Sequence, residues 1–120
     1  MLACDYRVGV QGQFKIGLNE TLIGMTMHDF GIELARYRIP LNYFNRSVIN
    51  AELYAPSDAM EAGFYDTVIK IESMESNISE ITQNFKNLNM SAFVGTKIKS
   101  RRALLELLDE CIENDMRMAV

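Results

Sequence analysis

The sequence predicts an α/β fold in which short strands come first and amphipathic helices follow. Apolar and polar residues alternate over 13–19, where Phe14, Ile16 and Leu18 interleave with Gln13, Lys15, Gly17 and Asn19, the period of a half-buried strand. From Asp29 onward the apolar residues recur at helical spacing, most clearly over 73–88 and 89–116. Glycine and proline punctuate the chain at Gly12, Gly24, Pro40 and Gly63, where one pattern gives way to the next.

Residues 2–10 read as a first strand with Tyr6, Val8 and Val10 on one face, and Gly9 and Gly12 ease a turn into the second strand at 13–18. A two-stranded unit is marginal alone, so this pair is expected at the edge of a larger sheet. Leu22 and Ile23 make a short apolar step closed by Gly24. A helix begins near Asp29, buries Phe30, Ile32, Leu34 and Ala35, and stops before Pro40, because proline disfavours helix in its predecessor.

The next helix is expected over 41–53, with Leu41, Phe44, Val48 and Ala51 on one face. Ser57 is placed to cap a short helix, Asp58 suits its positive first turn, and Gly63 ends it in a left-handed conformation before a strand at 66–71. Met74, Ile78, Ile81, Phe85 and Leu88 share one face of a helix over 73–88. Asn89 then caps the longest helix, which runs to about Met116 with Val94, Ile98, Leu105, Leu108, Ile112 and Met116 along one side, widened by Leu104, Leu107 and Cys111. The chain thus divides into a core of strands and short helices at 1–72 and a helical region at 73–120.

A chain of 120 residues holds one domain with a modest core. Twelve Lys and Arg against sixteen Asp and Glu leave a net charge of -4, and no basic stripe is interleaved with aromatics, so nucleic acid is not an expected partner. Cys4 and Cys111 are far apart and accompanied by one histidine, which indicates neither a disulfide framework nor a metal site and fits a reducing, cytoplasmic setting. Leu2-Ala-Cys4 mimics the end of a lipoprotein signal without the charged and apolar regions that precede one, and no apolar run reaches the roughly eighteen residues of a membrane helix. The two long helices carry more apolar surface than a short sheet edge covers, which makes self-association the expected outlet.

Glu20 is the candidate for chemistry. It falls where a strand ends and a turn begins, with apolar residues on both sides, a corner in which a carboxylate is partly desolvated and suited to general acid or base work. On spacing alone the other reading, a solvated glutamate or one that caps the following turn, stays open.

The run Ala3-Cys-Asp-Tyr-Arg-Val-Gly-Val10, then Gly12-Gln-Phe14, Gly17-Leu-Asn-Glu20 and Ile23-Gly24, followed by Ala35-Arg36 and by Asp58-Ala-Met-Glu-Ala-Gly63 leading into Asp66-Thr-Val-Ile69, resembles the crotonase family of enoyl-CoA hydratases and isomerases. Order and spacing together carry the likeness, over roughly residues 3 to 70. It implies the C-terminal part of a crotonase-like (ββα spiral) fold, short strands followed by amphipathic oligomerisation helices that form trimers or dimers of trimers.

The resemblance also implies a role for Glu20, as one of the glutamates that move protons on the double bond of an enoyl-CoA thioester. The substrate is then an acyl-CoA, with no separate cofactor and no metal. Leu18, Met25 and His28 are placed to contact the acyl part, and Lys97, in the basic cluster with Lys99, Arg101 and Arg102, to meet the phosphates of CoA. A turn or cap position for His28 and a solvated helix face for the cluster are the alternative readings. The family's glycine-rich oxyanion segment and its other glutamate are implied upstream of Met1. The chain is therefore expected to be the C-terminal portion of such an enzyme, or a shortened relative that serves as a non-catalytic assembly module.

Overall fold

The computed structural model describes residues 1–118; the last two positions of the expected helical region, 119 and 120, lie outside the described residues. The elements in order are β1 (Val8–Val10), α1 (Asp29–Arg38), α2 (Leu41–Val48), α3 (Pro56–Glu61), β2 (Thr67–Ile69), α4 (Met74–Lys86) and α5 (Met90–Met118), with 3-10 turns at Thr21–Ile23 and Ile71–Ser73. The expected α/β class stands. Short strands sit against helices, and long helices end the chain.

The sheet is assembled differently from the sequence expectation. β1 is confined to three residues and pairs in parallel with β2, Val8 opposite Thr67, Gly9 opposite Val68 and Val10 opposite Ile69. The hairpin expected between 2–10 and 13–18 does not form. Ile16 instead makes an antiparallel bridge to Tyr54, with N–H to O distances of 2.9 and 2.8 Å in the two directions. Gly17 is what permits this approach. A Cβ there would lie 2.7 Å from the Glu52 carbonyl oxygen and 2.8 Å from Leu53 Cδ2, so only glycine lets the two backbones come together.

α1 has the expected length and ends before Pro40. α2 stops at Val48, five residues short of the expected end, because the chain folds back on itself: Ile49 and Asn50 both donate to the Asn45 carbonyl, Glu52 N–H donates to Arg46 O, and Ala51 takes a left-handed φ of 50°. The Arg46 guanidinium holds both oxygens of Glu52 at 2.7 Å across this turn. α3 begins two residues earlier than expected, at Pro56. A proline at the first helical position gives up no hydrogen bond, so the cap falls on Ala55 rather than Ser57. Gly63 closes the helix at φ +87°, as the sequence predicts.

The core gathers Ala35 of α1, Ile39 just past its end, Val48, Tyr54, Ala59, Ala62 and Phe64, with Leu2 from the N-terminal turns. Small side chains at Ala35, Ala59 and Ala62, all fully buried, let the helices pack closely around Phe64. A hydroxyl pair inside, Ser47 Oγ and Tyr54 Oη, is satisfied at 3.0 Å.

α5 lies along α1, and its orientation divides the expected apolar stripe. Leu104, Leu108 and Cys111 turn inward, while Val94, Ile98, Leu105, Ile112 and Met116 are exposed, by 44% to 69%. A single straight helix can press only one row of side chains onto a neighbour. The edge-to-face contacts of Tyr6 with Phe85 and of Phe85 with Phe93 join the N-terminal turns, α4 and α5. No helix among the described residues is long and apolar enough to cross a membrane.

Candidate active site

Glu20 is not the last residue of a strand, since 14–18 forms only the bridge to Tyr54; it is the cap residue of the Thr21–Ile23 turn. Its backbone is held firmly. The Glu20 carbonyl accepts from Ile23 N–H at 3.1 Å and from Met25 N–H at 2.8 Å, and Gly24, at φ 80° and ψ 21°, closes the turn with its N–H on Thr21 O. The left-handed residue is glycine, the type that adopts this conformation without strain.

The side chain of Glu20 makes no capping bond. Its Oε2 is shielded from solvent and has no hydrogen-bond partner among the described residues. A buried acceptor without a donor is uncommon in a folded chain, because it has given up water without replacement. Such an oxygen is available to take a proton from a ligand. The apolar residues around it do not enclose it as expected: Leu18 is half-buried, whereas Leu22, Ile23 and Met25 are 65%, 59% and 50% exposed. They form an apolar rim on the outside of the turn.

Met25 and His28 are both exposed and bracket the irregular stretch between the turn and α1. His28 occupies the cap position of α1 but its side chain makes no cap bond. The first two amides of α1 are taken up by a carboxylate from the other end of the chain: Asp29 N–H donates to Asp115 Oδ1 at 2.9 Å and Phe30 N–H to Oδ2 at 3.1 Å. The Phe30 amide foremost, then that of Asp29 and the nearby His28, holds the Asp115 carboxyl below the usual aspartate range. Sequence reasoning did not single out Asp115. The one available signal was the poor capping residue at His28, which leaves the amides of α1 without a local acceptor.

The structure keeps Leu18, Glu20, Met25 and His28 on one continuous segment and places Lys97 elsewhere. Lys97 Nζ lies 2.6 Å from Asp5 Oδ2, and Arg101 Nη2 lies 2.9 Å from Asp5 Oδ1. These three line a cavity of about 450 Å³ with Phe85 and Phe93 that Glu20 does not border. The hydrogen bond from Lys97 holds the Asp5 carboxyl below its ordinary value, and Lys99 and Arg102 point to solvent. Any phosphate brought to Lys97 competes with Asp5. No three acidic, histidine or cysteine side chains among the described residues are arranged to hold a metal ion.

No protein-family model matches the chain. Among curated proteins, enoyl-CoA delta isomerase 1, mitochondrial, of Mus musculus is 25% identical over 126 residues, which covers 95% of this chain and 44% of that protein. Among solved structures, an enoyl-CoA hydratase/isomerase family protein from Pseudomonas syringae superposes with a TM-score of 0.95 at 51% identity, covering 97% of this chain and 50% of the other. The apo enoyl-CoA isomerase of Mycobacterium tuberculosis gives a TM-score of 0.89 at 27% identity over 97% of this chain and 51% of its own. The chain spans about half the length of the relatives it matches.

Proposed function

From a chain that belongs to the enoyl-CoA hydratase/isomerase (crotonase) family and carries the C-terminal portion of its fold, we propose that Glu20 is the proton carrier of an enzyme acting on an enoyl-CoA thioester, and that the reaction is a shift of the double bond. The single observation that carries this reading is the shielded, unpartnered Oε2 of Glu20 beside an exposed apolar rim. In a 3-enoyl thioester the carboxylate removes a proton from the carbon between the thioester carbonyl and the double bond, and the C–H electron pair is taken up as a dienolate with its charge on the thioester oxygen. The same carboxyl returns the proton to the far carbon of the double bond as a new double bond forms next to the restored carbonyl. One carboxylate suffices for both transfers. The rim of Leu22, Ile23 and Met25 offers apolar surface to the acyl chain, and no cofactor beyond the CoA thioester itself takes part. Relatives at similar identity carry both names, isomerase and hydratase, and the choice of isomerisation is this reading's own, made because Glu20 by itself can carry out both proton transfers.

The test is made in a polypeptide extended upstream to the length of the relatives. Glu20→Gln should lower the rate of double-bond migration by roughly 10² or more. Retained activity in that variant ends the assignment.

A second reading has its own support in the exposed row Val94, Ile98, Leu105, Ile112 and Met116 on α5. In it the chain is an assembly module, and the helices bind further copies in a trimer or a dimer of trimers. Sedimentation at micromolar concentration decides it, a monodisperse monomer counting against assembly.

A further inference from the structure

We propose that Asp115, near the end of α5, is a positioning residue for the segment 25–28 that would contact the acyl chain. The proposal rests on the reading of Glu20 given above. The segment is four residues of irregular backbone with a fixed point at each end. At one end Met25 N–H is bonded to Glu20 O at 2.8 Å; at the other, Asp29 and Phe30 N–H are bonded to the two oxygens of Asp115 at 2.9 and 3.1 Å.

Nothing local performs the second task. The His28 side chain makes no capping bond, and the acceptor that replaces it comes from 86 residues further along the chain. A residue that caps a helix from its own neighbourhood stabilises that helix alone. A carboxylate reaching across from α5 also sets where α1 begins relative to α5, and hence where Met25 and His28 stand relative to Glu20. The bonds that hold the Glu20 turn, Ile23 N–H to Glu20 O and Gly24 N–H to Thr21 O, do not involve Asp115. Loss of Asp115 therefore disturbs the substrate-contacting stretch and spares the carboxylate.

The experiment compares Asp115→Ala, Asp115→Asn and Glu20→Gln in the polypeptide of full family length, reading backbone amide exchange over 20–30 together with steady-state kinetics on an enoyl-CoA substrate. For Asp115→Ala, exchange should rise at Asp29, Phe30 and Met25 while Ile23 stays protected. KM should rise about tenfold with kcat within about threefold of the parent. Asparagine retains one acceptor oxygen, so Asp115→Asn should recover part of both effects; it also serves if the alanine variant does not fold. Faster exchange at Asp29 and Phe30 with Met25 and KM unchanged would reduce Asp115 to a local helix cap and overturn the proposal. If Glu20→Gln keeps full activity, the catalytic reading fails separately, and the exchange coupling between Phe30 and Met25 still reports on Asp115.

Discussion

The guanidinium of Arg7 and the carboxylate of Asp66 face each other as a two-pronged pair, Nη2 to Oδ1 at 2.8 Å and Nε to Oδ2 at 3.0 Å, across 59 residues of chain. The Arg7 backbone joins the same two residues again, its N–H donating to the carboxylate Oδ2 and its carbonyl accepting from Asp66 N–H, both at 2.8 Å, and the Arg7 side chain also donates to Gly63 O. Arg7 is buried and Asp66 partly so, which puts the pair at the start of the only strand pairing between β1 and β2 among the described residues. It sets the register of that pairing.

Replacing Arg7 by methionine should therefore destabilise the chain by about 2 to 3 kcal/mol, below the usual cost of breaking a buried pair because the Asp66 side chain is 30% exposed. Urea titration of the two proteins checks this. A change of midpoint smaller than the experimental scatter would mean that the strands hold their register without the pair.

Three aspartates titrate below their ordinary range in the folded chain: Asp66 through the hydrogen bond from Arg7, Asp5 through that from Lys97 and Asp115 through the Phe30 amide. The unfolded chain then binds more protons than the folded one in acid. The stabilisation is complete above the unfolded aspartate value of about 3.9 and is lost as pH falls below it toward each folded-state value. The melting temperature should be nearly level from about pH 5 to 7 and drop steeply below about pH 4. In Asp66→Asn it should start lower and fall less steeply. An acid slope identical to the parent's would remove Asp66 from this account.

Gly24 and Gly63 are both left-handed, at φ +80° and +87°, but they differ in surroundings. A Cβ at Gly24 meets nothing within 4 Å, whereas at Gly63 it would lie 2.5 Å from Pro40 Cδ and 3.1 Å from Arg38 O. Gly24→Ala should cost only the backbone conformation, about 1 to 2 kcal/mol. Gly63→Ala should cost clearly more, since α3 must also move away from the loop ahead of α2. Thermal melts of the two variants give the ranking, and equal losses would show that the Pro40 ring yields freely.

What was legible in the chain was what neighbouring residues decide. The bounds of α1 follow from helical spacing and Pro40, the left-handed stop at Gly63 from the lack of a Cβ, and the start of α5 from Asn89, whose Oδ1 accepts from Ala92 N–H at 3.0 Å. Each is settled within about four residues, the reach of one helical turn. The family likeness spans such local pieces in order, and it is what drew Glu20 out of the sequence as the residue for which an acid or base role is proposed. That Met25 and His28 lie on the same segment as Glu20 follows from their closeness in the chain.

Alternation over 13–18 predicts a second strand paired with the first, yet periodicity says which side chains share a face and nothing of which backbone lies alongside. Tyr54 fills that place because Gly17 leaves room for it. Likewise nothing in the spacing on α5 ranks the row Leu104, Leu108 and Cys111 above Val94, Ile98 and Leu105; the helix is apolar on both, and packing against α1 chose. The Arg7–Asp66 pair and the Asp115 cap arise the same way, between residues 59 and 86 positions apart. The residue types and local turns that put a carboxylate at position 20 are written in the chain. The anchoring of the stretch beside it by Asp115 exists because distant segments meet, and contacts at that separation have no local periodicity to betray them.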